Sequence, residues 1–248
     1  MKNVFCKYVS IIGIVVLCIL YSFSLKGNEN LETSEISVLT FEKIRVEGAV
    51  DVRFHVSDTC QAVLTFNENL DRDKIKIFTQ DDILYIKNEN KCNKNVFPIF
   101  KQNFSKKCLV VVDVYCQTLT NVSILGSGDF KGIDHIISLT FTVEVSDAGN
   151  FTGTVETDNF FANVSNAGNI SISGSSKDAN ITVAEAGDFG GKSFYTNNAT
   201  INVSGAGAAN LRVADNLKAR VTDAGDITYY GNPKVDASIS GAGDIRKR

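Results

Sequence analysis

From residue 118 onward the chain alternates apolar and polar residues with a period of two, and the alternation recurs at near-constant spacing. Val122, Val143, Ala162, Ile181, Ile201, Ala219 and Ala237 form one apolar column, and two positions further on Ile124, Val145, Val164, Val183, Val203, Val221 and Ile239 form a second. The residues between them, Ser123, Glu144, Asn163, Thr182, Asn202, Arg220 and Ser238, are all polar. Successive side chains of a strand point to opposite faces, so the pattern predicts one half-buried strand used over and over.

Four positions beyond each second-column residue stands a glycine in a short phrase of small residues. These are Gly128 (GSGDF), Gly149 (DAGNF), Gly168 (NAGNI), Gly187 (EAGDF), Gly207 (GAGAANL), Gly225 (DAGDI) and Gly243 (GAGDI). The phrase returns every ~18–21 residues, a period too short for repeats built of helix pairs and suited to one coil of a β-solenoid. After the phrase, Phe130, Phe151, Ile170, Phe189, Ile227 and Ile245 supply a large apolar residue at a fixed offset, entering the core from a second face. Coils spaced at the ordinary strand separation would stack into a rod of about 34 Å. The phrase itself reads as a corner: glycine takes positive φ at little cost, the preceding Ala or Ser stacks on its copy, and the following Asp or Asn bonds local backbone.

A disguised copy lies upstream in KIRVEGAVDVRFHV, with Val50 at the corner glycine's place. The distance from Val50 to Gly128 is close to four periods, which predicts degraded coils over residues 38–117. The segments CQAVLTF, DKIKIFTQDDILYIKN and CLVVVDVYC have strand composition. Residues 88–107, with NENKCNKN and KQNFSKK, read as an inserted polar, basic loop. No helical periodicity stands out after the first residues.

The beginning changes the cellular picture. Lys2 and Lys7 precede an apolar run from Val9 to Leu20, with Ser22 and Ser24 beyond it, the arrangement of a secretory signal ending near Ser24. The run is short for a membrane span, which needs about 20 residues, though a retained anchor is the alternative. Residues 25–37 then read as a linker and 38–248 as a single domain. Loss of residues 1–24 removes two lysines and no acid, so the formal charge falls from −3 to −3 − 2 = −5. An acidic surface does not suit nucleic acid, whose phosphates call for clustered Lys and Arg. Cys60, Cys92, Cys108 and Cys116 remain, which permits up to two disulfides in any of three connectivities. With no CxxC pair and only His55 and His135 as histidines, zinc is disfavoured.

Several of these phrases carry a resemblance. FEKIRVEGAVDVRF, NVSILGSGDF, the succession DAGNF, NAGNI and EAGDF, and the closing ITYYGNPKVDASISGAGDIRKR resemble the family named putative auto-transporter adhesin, head GIN domain. The resemblance covers residues 38–248, and that family occurs in exported proteins of Bacteroidetes and other bacteria. It implies an all-β fold consisting of one right-handed parallel β-helix. The departures are Val50 at the first corner, GAGAANL at residues 205–211, and the cysteine-bearing loop.

Candidate chemistry is sparse. Asp129, Asn150, Asn169, Asp188, Asn210, Asp226 and Asp244 read as a corner column, and such carboxylates can hold calcium. The mixture of Asn with Asp favours turn stabilisation over a metal. Asp147, Asn166, Glu185 and Asp223 read as a second, solvated column just before the corner. Acids spread over equivalent coils do not make the paired carboxylates of a glycosidase, and GSG at 126–128 lacks a hydrolase's strand–nucleophile–helix setting. The Asn-x-Ser/Thr triplets at Asn121, Asn163, Asn180 and Asn202 fall inside the alternating strand, whose polar positions they simply occupy. The expectation is therefore a non-catalytic binding module without cofactor or metal, exported to the periplasm, outer-membrane surface or medium. Its partners would be a glycan, a cell-surface protein or another copy of itself, with membrane contact only through the signal or an anchor. Tyr229, Tyr230, Phe97 and Phe100 are the aromatic candidates for ligand contact.

Overall fold

The computed structural model describes residues 31–91 and 109–248. The strands are β1 (Leu31–Ser37), β2 (Lys43–Glu47), β3 (Asp51–Val56), β4 (Gln61–Asn67), β5 (Ile75–Gln80), β6 (Ile83–Asn88), β7 (Val110–Cys116) and β8 (Asn121–Gly126). They continue with β9 (Asp129–Asp147), β10 (Asn150–Val164), β11 (Asn169–Val183), β12 (Asp188–Gly205), β13 (Ala208–Asp223), β14 (Asp226–Tyr230), β15 (Lys234–Gly241) and β16 (Asp244–Lys247). From β8 onward each coil pairs in parallel with the next, and the long bent strands β9 to β13 wrap from one face of the core to another. This is a parallel β-helix.

The apolar columns of the sequence are its core. Val122, Val143, Ala162, Ile181, Ile201 and Ala219 stand in direct register, as do Ile124, Val145, Val164, Val183, Val203 and Val221. All are buried. The column after the corner runs from Val52 through Phe130, Phe151, Ile170, Phe189 and Ala209 to Ile227. Phe130 and Phe151 stack at 5.5 Å, and Phe160 meets Phe194 at 4.9 Å across the interior. Such ring pairs contribute about 0.5–1.5 kcal/mol each beyond the area they bury.

The corner works differently from its sequence reading. Gly128, Gly149, Gly168, Gly187, Gly207, Gly225 and Gly243 do not have positive φ. The left-handed residues lie two positions earlier, at Asp147 (φ 68°), Asn166 (59°), Glu185 (61°) and Asp223 (72°), with Gly126, Gly205 and Gly241 at the equivalent places. The column expected to be merely solvated therefore makes the bend, and its taste for Asp, Asn and Gly follows from their tolerance of that conformation. The corner glycines themselves are required for want of space. A Cβ would stand 2.6 Å from Ile124 Cγ2 at Gly149, 2.6 Å from Val145 Cγ1 at Gly168, and 2.5 Å from Val164 Cγ1 at Gly187. Carbon atoms in contact normally lie about 3.5–4.0 Å apart. From Gly149 onward each corner is thus seated on the branched side chain of the preceding coil, whereas Gly128 is crowded by the Val50 backbone.

The Asp/Asn column bonds between coils and not within its own bend. The Asn150 amide donates to Asp129 Oδ1 at 2.6 Å and the Asn169 amide to Asn150 Oδ1 at 2.9 Å, while Asp188 and Asp226 accept from the backbone N–H groups of Ala208 and Asp244. Asn210 is not part of it. Ala208 takes the place between Asp188 and Asp226, and Asn210 pairs with Gly190 and Thr228. Nothing is inserted in GAGAANL: Ala208 and Ala209 follow Gly207 as Asp188 and Phe189 follow Gly187, and Asn210 lies two positions beyond the column.

The N-terminal third departs from a plain succession of coils. Ile44 and Val46 of β2 pair directly with Val122 and Ile124 of β8, and Val52 of β3 with Phe130 of β9. The stretch between the Val50 and Gly128 corners therefore does not contain four degraded coils. Among the described residues only β6 and β7 form a coil, stacked on the other side of β2 and β3. Beyond it lie antiparallel strands: β4 on β7, β1 on β4, and β5 on β6. Residues 31–37, expected as linker, are thus the edge strand β1. It is short, polar on one side and anchored by Ile36, which suits a strand that ends a sheet without inviting another. Gln61 pairs with Tyr115, so Cys60 faces Cys116, and the two are joined as a disulfide. The expected signal at 1–24 and Cys92, Phe97, Phe100 and Cys108 lie outside the described residues. At the opposite end β15 pairs with β13 and β16 with β14, with no further partner strand among the described residues, and Val235 and Ile239 are exposed.

Candidate functional site

Outward columns are the natural binding surfaces of a solenoid, because equivalent side chains repeat every strand spacing along a rigid wall. Two grooves lie on this wall. The wider, about 480 Å³, runs over the second limb of β10 to β13 and onto β15, past Phe161, Asn180, Asn198, Asn216, Lys218 and Lys234. Two of its amides are engaged between coils: Asn198 donates to Asp178 Oδ1 at 2.9 Å and Asn216 to Asn198 Oδ1 at 2.8 Å. Those bonds serve the fold.

The narrower groove, about 280 Å³, follows a column on the first limb. In register across five coils stand Glu156, Ser175, Tyr195, Arg212 and Tyr230. The Arg212 guanidinium carbon lies 5.2 Å from the Tyr195 ring centre and 5.5 Å from that of Tyr230, so the cation is held between two aromatic faces. Lys192 Nζ is 5.8 Å from the Tyr230 ring. Arg45, Arg53 and Arg246 each lie against a carboxylate, whereas Arg212, like Arg72 and Arg220, has none among the described residues; what sets Arg212 apart is its place between two rings and an Nε that is buried there without a hydrogen-bond partner. No carboxylate lines this groove, whose polar walls include Ser175, Asn197 and Asn232. Tyr195 is 56% exposed, and its neighbour away from Arg212 is the small Ser175.

Tyr229 and Tyr230, both candidates for ligand contact, are separated by strand alternation. Tyr229 pairs with Leu211 and packs against the core, while Tyr230 pairs with Arg212 on the opposite, outward side. Tyr195 and Arg212 are not apparent from the sequence repeat. Their column is disguised because β12 bulges: Gly191 pairs with Leu211, but Tyr195 already pairs with Arg212, so the offset between the two coils shortens across the bulge. Lys192 belongs to that bulge.

The histidines take part in surface pairs. His55 stacks on Tyr115 at 4.7 Å with its Nε2 3.3 Å from Asp113 Oδ1, a carboxylate that also meets Arg53. His135 lies 3.9 Å from Glu156. Among the described residues no three His, Cys, Asp or Glu side chains gather as metal ligands, and no helix is long and apolar enough to cross a membrane. The corner acids Asp129, Asp188 and Asp226 are occupied by inter-coil donors.

The chain belongs to the family described as putative auto-transporter adhesin, head GIN domain, which it matches over residues 40–233. Solved structures share the fold. A putative adhesin from Bacteroides fragilis is 18% identical with a TM-score of 0.76, aligning 90% of this chain and 100% of that one. A putative adhesin from Parabacteroides merdae (20% identity, TM-score 0.65) and a putative lipid binding protein from Parabacteroides distasonis (23%, TM-score 0.66) each align over 90% of this chain and 98% of their own. Among curated proteins no relative matches the chain.

Proposed function

We propose that the protein is an exported, non-catalytic binding module of the cell envelope or surface, and that the column from Ser175 to Tyr230 is its ligand-binding strip. The observation that carries this is Arg212, a guanidinium clamped between two rings yet lacking a hydrogen-bond acceptor at Nε among the described residues. Burying a charged donor without a partner is unfavourable, and an anion seated in the groove would offset the uncompensated charge. Membership of the adhesin family and the signal-like first residues support display outside the cytoplasm. The rigid wall supports recognition without rearrangement, because a site built on paired strands is already in its bound shape. A glycan array probed with the purified protein tests the reading. Retention of selected glycans, lost on Tyr195→Ala, is expected; an array without signal, together with release of reducing sugars from a polysaccharide panel, would replace binding by catalysis.

A second reading, association with another copy, is favoured by one observation. β15 is exposed along its length with Val235 and Ile239 on its apolar side, and its outer edge has no partner strand among the described residues. Such an edge is a template for further pairing. Light scattering over a concentration series would give a dimer mass that reverts to monomer on Ile239→Lys.

A further inference from the structure

We infer that the strip recognises an acidic saccharide, a pyranose bearing a carboxylate, with Arg212 as the residue that reads the charge; this rests on the binding role proposed above for the same column. The charged residue lining the groove is Arg212, and no carboxylate opposes it there. Of the guanidiniums without an acid partner among the described residues, Arg212 is the one stacked between two rings and lining a groove, which makes it the place for an anion brought from outside.

A planar guanidinium held between two rings is fixed in orientation, and paired guanidinium donors match the two oxygens of a carboxylate. Lys192, carried on the β12 bulge beside Tyr230, adds a second positive charge at the same end of the column. The surroundings specify a sugar. Tyr195 is more than half exposed and has only Ser175 over its other side, which leaves ring surface for the C–H face of a pyranose. Asn197 and Asn232 offer amides to hydroxyl groups, and Asn232 already accepts from Lys247. An acyl chain would need a continuous apolar slot, and the groove's polar walls are amide, hydroxyl and guanidinium. Glu156, two coils from Tyr195 in the same column, bounds the strip on the far side by repelling a second carboxylate.

The test is isothermal titration of the full protein with short oligogalacturonides and with neutral galacto-oligosaccharides of equal length, alongside sedimentation with phosphatidylglycerol vesicles. The acidic oligomers are expected to bind at least about tenfold more tightly than the neutral ones, with affinity falling as salt rises. Arg212→Gln should abolish most of that preference, and Arg212→Lys should recover only part because an ammonium lacks the paired donors. Arg212→Met retains the aliphatic stem and serves where the glutamine variant melts early. Equal affinity for both oligomers, lost on Tyr195→Ala and untouched by Arg212→Gln, would overturn the acidic preference while leaving the binding strip in place. Vesicle capture abolished by Arg212→Gln, without oligosaccharide binding, would transfer the anion to a lipid headgroup and overturn the sugar. No binding of either oligomer or of any arrayed glycan would remove the binding role itself.

Discussion

Gly168→Ala, made with and without Val145→Ala, isolates the contact that seats each corner on the coil before it. A Cβ at residue 168 would lie 2.6 Å from Val145 Cγ1, roughly 1 Å inside ordinary carbon contact, and both partners are buried. Overpacking of this kind costs about 1–3 kcal/mol. Backbone strain does not add to it, since Gly168 is outside the left-handed region, and the stiffer unfolded chain returns about 0.4–1 kcal/mol. The single variant should therefore lose about 1–2 kcal/mol. Val145→Ala alone removes two buried methyl groups and should lose about 2 kcal/mol. In the double variant the obstructing methyl is gone, and the next nearest atom, Gly149 O at 3.3 Å, is tolerable. Its stability should then lie within about 0.5 kcal/mol of Val145→Ala, a coupling of about 1 kcal/mol or more. Urea unfolding followed by circular dichroism gives all four values. Additive losses in the double variant would refute the steric account of the glycine column.

Glu185 is left-handed without being Gly, Asn or Asp, so Glu185→Gly should raise the urea midpoint by the equivalent of about 1 kcal/mol and Glu185→Val should lower it. The Cys60–Cys116 bond has a sequence separation of 56, and loop-closure entropy for that length is about 4 kcal/mol; Cys60→Ser with Cys116→Ser should approach that loss. Peptide mapping without reductant should recover Cys60 linked to Cys116. Burial raises the Glu47 carboxyl pKa, but hydrogen bonds and charge from Lys87 and Arg45 outweigh it and hold the value below the usual range. The stability this adds is complete above the ordinary glutamate pKa and is lost as pH falls through the lowered folded value. Wild type should therefore lead Glu47→Gln at neutral pH and lose that lead in acid, as read from urea midpoints at both.

Most of the fold is legible in the sequence because it is periodic. One column of valines in fixed register is enough to define strand, coil and core, and β8 to β16 follow it. What escapes is whatever breaks the period or reverses order in space. Val50 is recognisable as a corner, yet sequence distance to Gly128 cannot show that the intervening strands stack on the other side of β2 and β3. Antiparallel β4 and β5 alternate much as parallel strands do, so alternation alone gives no direction. The glycine column is visible without its cause: sequence shows that a side chain is excluded but not whether φ or a neighbouring Val methyl excludes it. The binding strip is hidden by the β12 bulge. Counting from the corner glycines puts Tyr195 opposite Asp215 instead of Arg212, and Tyr230 stands out only for its aromatic neighbour.

The central claim is that ligand engages one face, the column through Tyr195, Arg212 and Tyr230. Titrating short oligogalacturonides into isotopically labelled protein and mapping amide shifts by NMR tests it residue by residue. Changes concentrated at 175, 195–197, 212 and 230–232 are the outcome the geometry demands. Shifts concentrated instead along Asn180, Asn198, Asn216 and Lys234 would contradict it.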